Sequence, residues 1–128
     1  MSADELRDVG ERLLAGIQAR DFEQIAGCFA EDASFRVLTP GPLRELHGPT
    51  EAADRYRAWL DGLGDYEVLE SDAVAIADRI RVRYRFRGRD PEKGWQLNEH
   101  TGYAAVEKGR IRSMILTCAG FRPTPAPD

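Results

Sequence analysis

Cysteine is scarce in this chain. Cys28 and Cys118 are the only two, far apart and each set in an apolar pattern. No Cys-x-x-Cys pair and no Cys/His cluster exists, which excludes the usual zinc frameworks, and no metal or other cofactor is implied. Two buried, reduced thiols in a cytoplasmic protein are expected instead. No apolar run approaches the roughly 18 residues of a membrane-spanning helix, and no secretory leader is recognisable, so no membrane partner is expected. No glycine-rich loop opens a helix as a phosphate site requires, since Gly62-Leu63-Gly64 ends one. A basic excess is also missing: the net charge is −4, which argues against nucleic acid as the partner. No internal repeat or interior linker divides the 128 residues. One domain is expected over residues 1–121, followed by a Pro-rich flexible tail at 122–128.

What is present is a stretch of strict alternation, RIRVRYRFRGR, from Arg79 to Arg89. Ile80, Val82, Tyr84 and Phe86 alternate with Arg81, Arg83, Arg85 and Arg87. A period of two places the apolar set on one face of a strand and the arginines on the other. This predicts a central strand of a curved antiparallel sheet, its apolar face turned to a helix-covered core.

Helical spacing dominates before Leu63. Leu6, Val9, Leu13, Leu14 and Ile17 predict a helix over Ala3 to Ala19, with Ser2 as N-cap and acidic Asp4 and Glu5 in its first turn. Asp21 caps a short helix from Phe22 to Phe29. Ala33 to Leu38 is a short strand, and Thr39 to Gly48 a loop. A third helix spans Pro49 to Leu63, capped by Thr50, with Ala53, Tyr56, Trp59, Leu60 and Leu63 inward. Strands follow from Tyr66 to Ala77, through the central strand, then Trp95 to Glu107 and Arg110 to Gly120. Helices followed by a meander define an α+β fold with the helices on one face of the sheet.

Two turns set the expected register. A turn at Asp78-Arg79 pairs Ala77 with Ile80, Asp72 with Arg85 and Glu70 with Arg87, so carboxylates balance the arginine face. A turn at Lys108-Gly109 pairs Glu107 with Arg110, then Tyr103 with Met114, Thr101 with Leu116 and Glu99 with Cys118. Ala104, Val106, Ile111 and Ile115 then form an apolar strip on the opposite face.

Three segments resemble the nuclear-transport-factor-2-like superfamily and its SnoaL-like group: RLLAGIQARDFEQIAGCFAEDASFRV (Arg12 to Val37), LHGPTEAADRY (Leu46 to Tyr56) and YAAVEKGRIRSM (Tyr103 to Met114). The resemblance implies an NTF2-like (cystatin-like) cone: a bent sheet around three helices, a ligand cavity between them, and homodimers through the outer sheet face. Catalytic side chains of such relatives are missing here. Leu13 stands where steroid isomerases carry an oxyanion-hole tyrosine, Val37 where they carry the general-base aspartate, and Thr101 near their protonated aspartate. Leu116 stands where epoxide hydrolases of this fold carry a carboxylate, and Ile111 to Phe121 lacks the acid of SnoaL-type cyclases.

In the expected register the cavity wall comprises Glu99, Thr101, Tyr103, Met114, Leu116 and Cys118, joined by Tyr84 and Phe86, with Tyr56 and Trp59 closing over them. Glu99 is the candidate general acid or base, and Tyr84 and Tyr103 are candidate oxyanion donors; a solvated Glu99 paired with an arginine is the alternative. A one-residue slip would exchange the roles of Glu99 and His100. His47 would overhang the cavity mouth, and Arg36 and Arg44 are candidates to meet an acidic ligand. The expected function is proton-transfer chemistry on a small or polycyclic carbonyl compound, as in an isomerase, cyclase or hydratase. The alternative is a non-catalytic module of the same fold that binds a small apolar molecule or dimerises.

Overall fold

A computed structural model describes residues 1–128. The chain runs α1 (Ala3–Ala19), α2 (Phe22–Gly27), β1 (Phe29–Leu38), β2 (Arg44–His47), α3 (Gly48–Leu60), β3 (Gly64–Ile76), β4 (Arg79–Asp90), β5 (Gly94–Glu107), β6 (Arg110–Cys118) and β7 (Arg122–Pro123). The sheet order is β2-β1-β6-β5-β4-β3, with β7 on β5. All joins are antiparallel except β1–β6, which is parallel, so the sheet is mixed rather than purely antiparallel.

The helices form where their caps and apolar periods predict. Ser2 Oγ accepts from the Glu5 N–H at 3.1 Å, and Asp21 Oδ1 accepts from the Gln24 N–H at 3.1 Å, satisfying donors that have no partner within the helix. Leu6, Val9, Leu13 and Ile17 are buried against the sheet. Gly10 lets α1 approach closely: a Cβ there would lie 2.9 Å from Ala73 Cβ and from Ile80 Cγ1. The small side chains of β3 therefore seat a helix, as expected.

Several boundaries differ from the sequence reading. α2 ends at Gly27, and β1 already begins at Phe29. The supposed loop contains β2, which pairs with β1 through Phe35 and Leu46. The N-cap position of α3 is His47, not Thr50. It offers no side-chain hydrogen bond, and Glu51 instead accepts the His47 N–H at 3.1 Å. The segment from Arg122 begins as a strand, Arg122 and Pro123 pairing with Leu97 and Gln96. No helix is long and apolar enough to cross a membrane.

The β3–β4 turn is Ala77-Asp78, with Ala77 at φ 53°, so Ile76 pairs with Arg79. The pairing is two residues away from the expected one. A shift of two keeps Glu70 to Ile76 on their expected faces, so only their partners change, while an irregularity at Leu69 inverts the alternation before it and turns Tyr66 and Val68 to the core. Asp72 lies 3.8 and 3.6 Å from Arg81 and Arg83, Glu70 3.7 Å from Arg85, Glu67 2.7 Å from Arg87 and Asp65 2.8 Å from Arg89. The arginine face is charge-balanced, as expected, through different pairs.

The β5–β6 turn does fall at Lys108-Gly109, both residues having positive φ, and Glu107 pairs with Arg110. Next to it, Val106 pairs with Ile111 but Ala105 pairs with Ser113, leaving Arg112 as the extra residue of a β-bulge. From there on the pairing is displaced by one. His100 faces Cys118, Gly102 faces Leu116 and Ala104 faces Met114, while Tyr103 faces Ile115. This exchanges the two faces of β5. Glu99, Thr101 and Tyr103 point outward; His100, Gly102 and Ala104 point inward. The expected outer strip is corrected with it: Ala104 and Ile111 are core residues and Val106 packs against the core, whereas Ile115, 50% exposed, remains outside beside Tyr103.

Candidate functional site

The inner face of β5 carries three buried, uncharged polar residues in alternation, Gln96, Asn98 and His100. They lie within an otherwise apolar interior, so each needs a hydrogen-bonding partner. Gln96 Nε2 donates to the Lys93 and Trp95 carbonyls at 3.3 and 3.2 Å. Asn98 Nδ2 donates to Cys118 Sγ at 3.5 Å, and Asn98 Oδ1 accepts from the Cys118 thiol at 3.7 Å and the Glu99 N–H at 2.8 Å. Sulfur is a weak partner, so the Asn98 amide is held loosely. Cys118 and Cys28 are free and buried.

His100 is fully buried and ends a chain of hydrogen bonds. Its Nδ1 lies 2.8 Å from the Tyr84 hydroxyl, which lies 2.8 Å from that of Tyr56 on α3. Nε2 has no partner. Counting protons sets the direction. If Tyr56 donates to Tyr84 and Tyr84 donates to Nδ1, one group is left unsatisfied, the Nε2–H. The reverse direction strands two, the Tyr56 O–H and the bare Nε2. The first arrangement is therefore the stable one, and it presents an N–H donor.

Burial holds this group in a neutral state. It pushes the imidazole down to about 3, so His100 carries no charge at neutral pH. Burial also raises both phenols, and Tyr84 lies well above the ordinary tyrosine range. Tyr84 cannot surrender its proton cheaply, so the chain strengthens donation from Nε2 without releasing a proton.

Aromatic rings surround the imidazole: Trp59 at 4.5 Å between centroids, Tyr84 at 5.1 Å and Phe86 at 5.4 Å. Phe121 packs on Phe86 at 5.8 Å. Trp59, Phe121 and Gln96 also line a pocket of about 120 Å³, together with Leu63, Asp90 and Lys93. A broader polar groove adjoins it at Gly62 and Asp90, and another lies apart between Glu31 and Arg112. The small pocket is the relevant one, because it alone shares walls with the buried polar stripe.

The structure thus brings together Tyr56, Trp59, Tyr84, Phe86 and Cys118, with Met114 and Leu116 as buried neighbours on β6. It does not bring Glu99, Thr101, Tyr103 or His47 to them. Glu99 lies outside, its Oε1 accepting from Arg85 Nε at 3.1 Å. This is the arginine-paired alternative. Tyr103 is 49% exposed on the same outer face. Thr101 faces outward beside Thr117, whose hydroxyl donates to the Thr101 carbonyl. His47 is exposed at the end of β2. Arg36 pairs with Glu45 at 3.2 Å. Sequence reasoning passed over Gln96 and Asn98. Their signal was an uncharged polar set at period two, alternating with Leu97, Glu99 and Thr101.

None of the curated proteins matches the chain. Solved structures do. An NTF2-like protein from Burkholderia xenovorans LB400 superposes with a TM-score of 0.71 at 17% identity, covering 92% of each chain. A protein provisionally described as a ketosteroid isomerase, from Kribbella flavida, gives 0.70 at 15% identity over 97% of this chain and 85% of its own. An LEH-like epoxide hydrolase of M. tuberculosis gives 0.68 at 17% identity over 91% and 84%. Such identities establish the fold and leave the chemistry to the residues above. With residues 11–114 matching the SnoaL-like domain and the helix-filled, bent sheet around them, the chain belongs to the SnoaL-like family within the NTF2-like fold.

Proposed function

We propose that this domain binds a compact, largely apolar molecule through an acceptor oxygen, such as a carbonyl, and that the donor is His100 Nε2–H. The observation that carries the reading is the unpartnered, fully buried Nε2, oriented by Tyr84 and Tyr56. A buried donor without a partner costs about 1–3 kcal/mol, which a ligand oxygen would recover. Trp59, which packs on the His100 ring, and Phe121 are apolar walls of the neighbouring pocket, through which such a molecule would enter. At about 120 Å³ that pocket is well below the ~300 Å³ of a typical drug-sized site, which favours a small molecule over a polycyclic one.

Binding without turnover is the first reading, because His100 does not titrate near neutral pH and the one acid of the pocket, Asp90, is held as a carboxylate by the Glu92 and Lys93 N–H groups, which its Oδ1 accepts. One observation favours an enzyme of the isomerase, cyclase or hydratase type. A neutral imidazole N–H backed by two hydroxyls is a fixed dipole aimed where negative charge develops on a carbonyl oxygen. In that case His100 is the catalytic residue, and Tyr84 and Tyr56 are positioning residues. The base would be water or a group of the substrate itself.

Nitrogen-15 NMR of the imidazole, titrated with cyclopentanone, tests the site. The expected result is a downfield shift of the Nε2–H signal that saturates, and weaker binding by His100→Phe. Ketone-induced shifts confined to residues outside this pocket would overturn the proposal. Exchange of the ketone α-protons into D2O, faster with the wild type than with His100→Phe, would select the enzyme; its absence would leave the binding module.

The proposal includes a homodimer through the outer sheet face. Its support is the exposed cross-strand pair Tyr103 and Ile115 beside the arginine ladder. Light scattering should give a dimer for the wild type and a monomer for Ile115→Arg. A monomeric wild type at high micromolar concentration would refute this part.

A further inference from the structure

His100 is fully buried, so its unpartnered Nε2 can meet a ligand only if part of the surrounding wall moves. Trp59 is held in place. It belongs to α3, packs against Tyr56 at 5.2 Å and His100 at 4.5 Å between centroids, and lies under the Arg55 guanidinium. Leu63 is tied down as well, its carbonyl accepting from Arg20 at 2.6 Å. Phe121 is different. It is half-buried, belongs to neither β6 nor β7, and meets Phe86 edge-on at 5.8 Å.

The chain around Phe121 is built to bend. β6 follows β5 as far as the pair of Cys118 with His100, and β7 resumes along β5 with Arg122 opposite Leu97. Three steps along β5 are thus matched by four along the other chain, which leaves one residue extra, as in a β-bulge. Gly120 lies within it at φ 87°, a conformation that residues with a Cβ adopt only at a cost. A Cβ there would also stand 2.8 Å from Pro40 Cγ. Beyond Phe121 the attachment is short. β7 has two residues, Pro123 has no N–H to give, and the Thr124 N–H donates to the Trp95 carbonyl at 3.1 Å. Before it, the Ala119 N–H donates to the Glu99 carbonyl at 3.0 Å. A short segment held this way opens at lower free energy than the sheet beneath it.

We infer that residues 119–124 are a strap hinged at Gly120 and that Phe121 is the gate of the His100 site: it admits a ligand when it swings off Phe86, and its ring sets the size of ligand that fits. The pocket it closes holds about 120 Å³, close to the ~150 Å³ cavity that accepts benzene. A five-membered cyclic ketone is near that limit, and a cage such as 2-adamantanone is beyond it. The inference rests on the His100 reading for the ligand's destination, whereas opening of the strap is measured without any ligand.

The test uses the full chain. Amide hydrogen exchange comes first: the Ala119 and Thr124 N–H groups should exchange about a hundredfold or more faster than the amides of the β5–β6 ladder. Gly120→Ala, which strains the closed strap, should speed them about fivefold or more again. Cyclopentanone and 2-adamantanone are then each titrated against the His100 Nε2–H signal. The wild type should respond to the first and not to the second. Phe121→Ala should respond to both, gaining about tenfold or more for the larger ketone, with Phe121→Leu in between. A ring that only stabilises the fold would leave the preference between the ketones unchanged. That result, or equal responses in the wild type, or strap amides as protected as the ladder, overturns the gate and leaves the His100 site standing. No response to either ketone in any of the three proteins overturns the His100 reading and the gate with it.

Discussion

Replacing Tyr84 by Phe removes one oxygen from the middle of the buried chain. Tyr56 O–H loses its acceptor and His100 Nδ1 loses its donor, and both groups are fully buried. Each orphaned group costs roughly 1–3 kcal/mol, and loss of the Tyr84 hydroxyl's own burial offsets part of that, so Tyr84→Phe should destabilise by about 2–4 kcal/mol. Tyr56→Phe removes the end of the chain instead. Tyr84 keeps its bond to His100, and the cost should be about 1 kcal/mol. The double-mutant cycle is sharper than either value. Once Tyr84 is Phe, the Tyr56 hydroxyl is a stranded donor, so adding Tyr56→Phe should be neutral or stabilising. Equilibrium urea unfolding of the four proteins measures this, provided the slopes agree. If Tyr84→Phe costs no more than Tyr56→Phe, or if the two costs add, the proton direction assigned to the chain is wrong.

Three further outcomes are expected. His100 is depressed to about 3 in the fold against about 6.5 unfolded, so below pH 6.5 the unfolded chain binds more protons; stability is full above that pH and falls on acidification, with a slope approaching ~1.4 kcal/mol per unit. Urea unfolding between pH 6 and 5 should show this slope in the wild type and lose it in His100→Phe; identical slopes would contradict the buried neutral imidazole. Glu99→Gln should cost under about 1 kcal/mol, its partner Arg85 being half-exposed, and should leave ketone binding at His100 unchanged, so altered binding would argue for an inward role. Gly10→Ala should destabilise by about 1–2 kcal/mol, since overpacking against Ala73 and Ile80 outweighs the gain in helix propensity, and a stabilised variant by thermal unfolding would show that α1 can lift without cost.

Local chemistry made much of this protein readable in one dimension. The period of two in RIRVRYRFRGR turns Ile80, Val82, Tyr84 and Phe86 inward whatever the partner strand does. The caps at Ser2 and Asp21 and the turn at Lys108-Gly109 follow from side chains and φ preferences within a few residues. Even the wrong turn at Asp78-Arg79 kept the faces from Glu70 to Ile76, because a shift of two preserves alternation. The resemblance in three segments placed the chain in its family before any contact was known.

The site was different, because it depends on one residue inserted far from it along the strand. Arg112 bulges out of β6, and that single extra residue exchanges the faces of β5 beyond it. The alternation of Gln96, Asn98 and His100 against Glu99, Thr101 and Tyr103 divides the strand into two faces but carries no sign for which is inside. Nothing local favours a bulge at Arg112; the packing of Ile111 and Met114 into the same core does. The parallel pairing of β1 with β6, and the meeting of Tyr56 from α3 with Tyr84 and His100, likewise join segments distant in the chain. Such contacts are stabilised by burial of the whole assembly, and no window of sequence contains them.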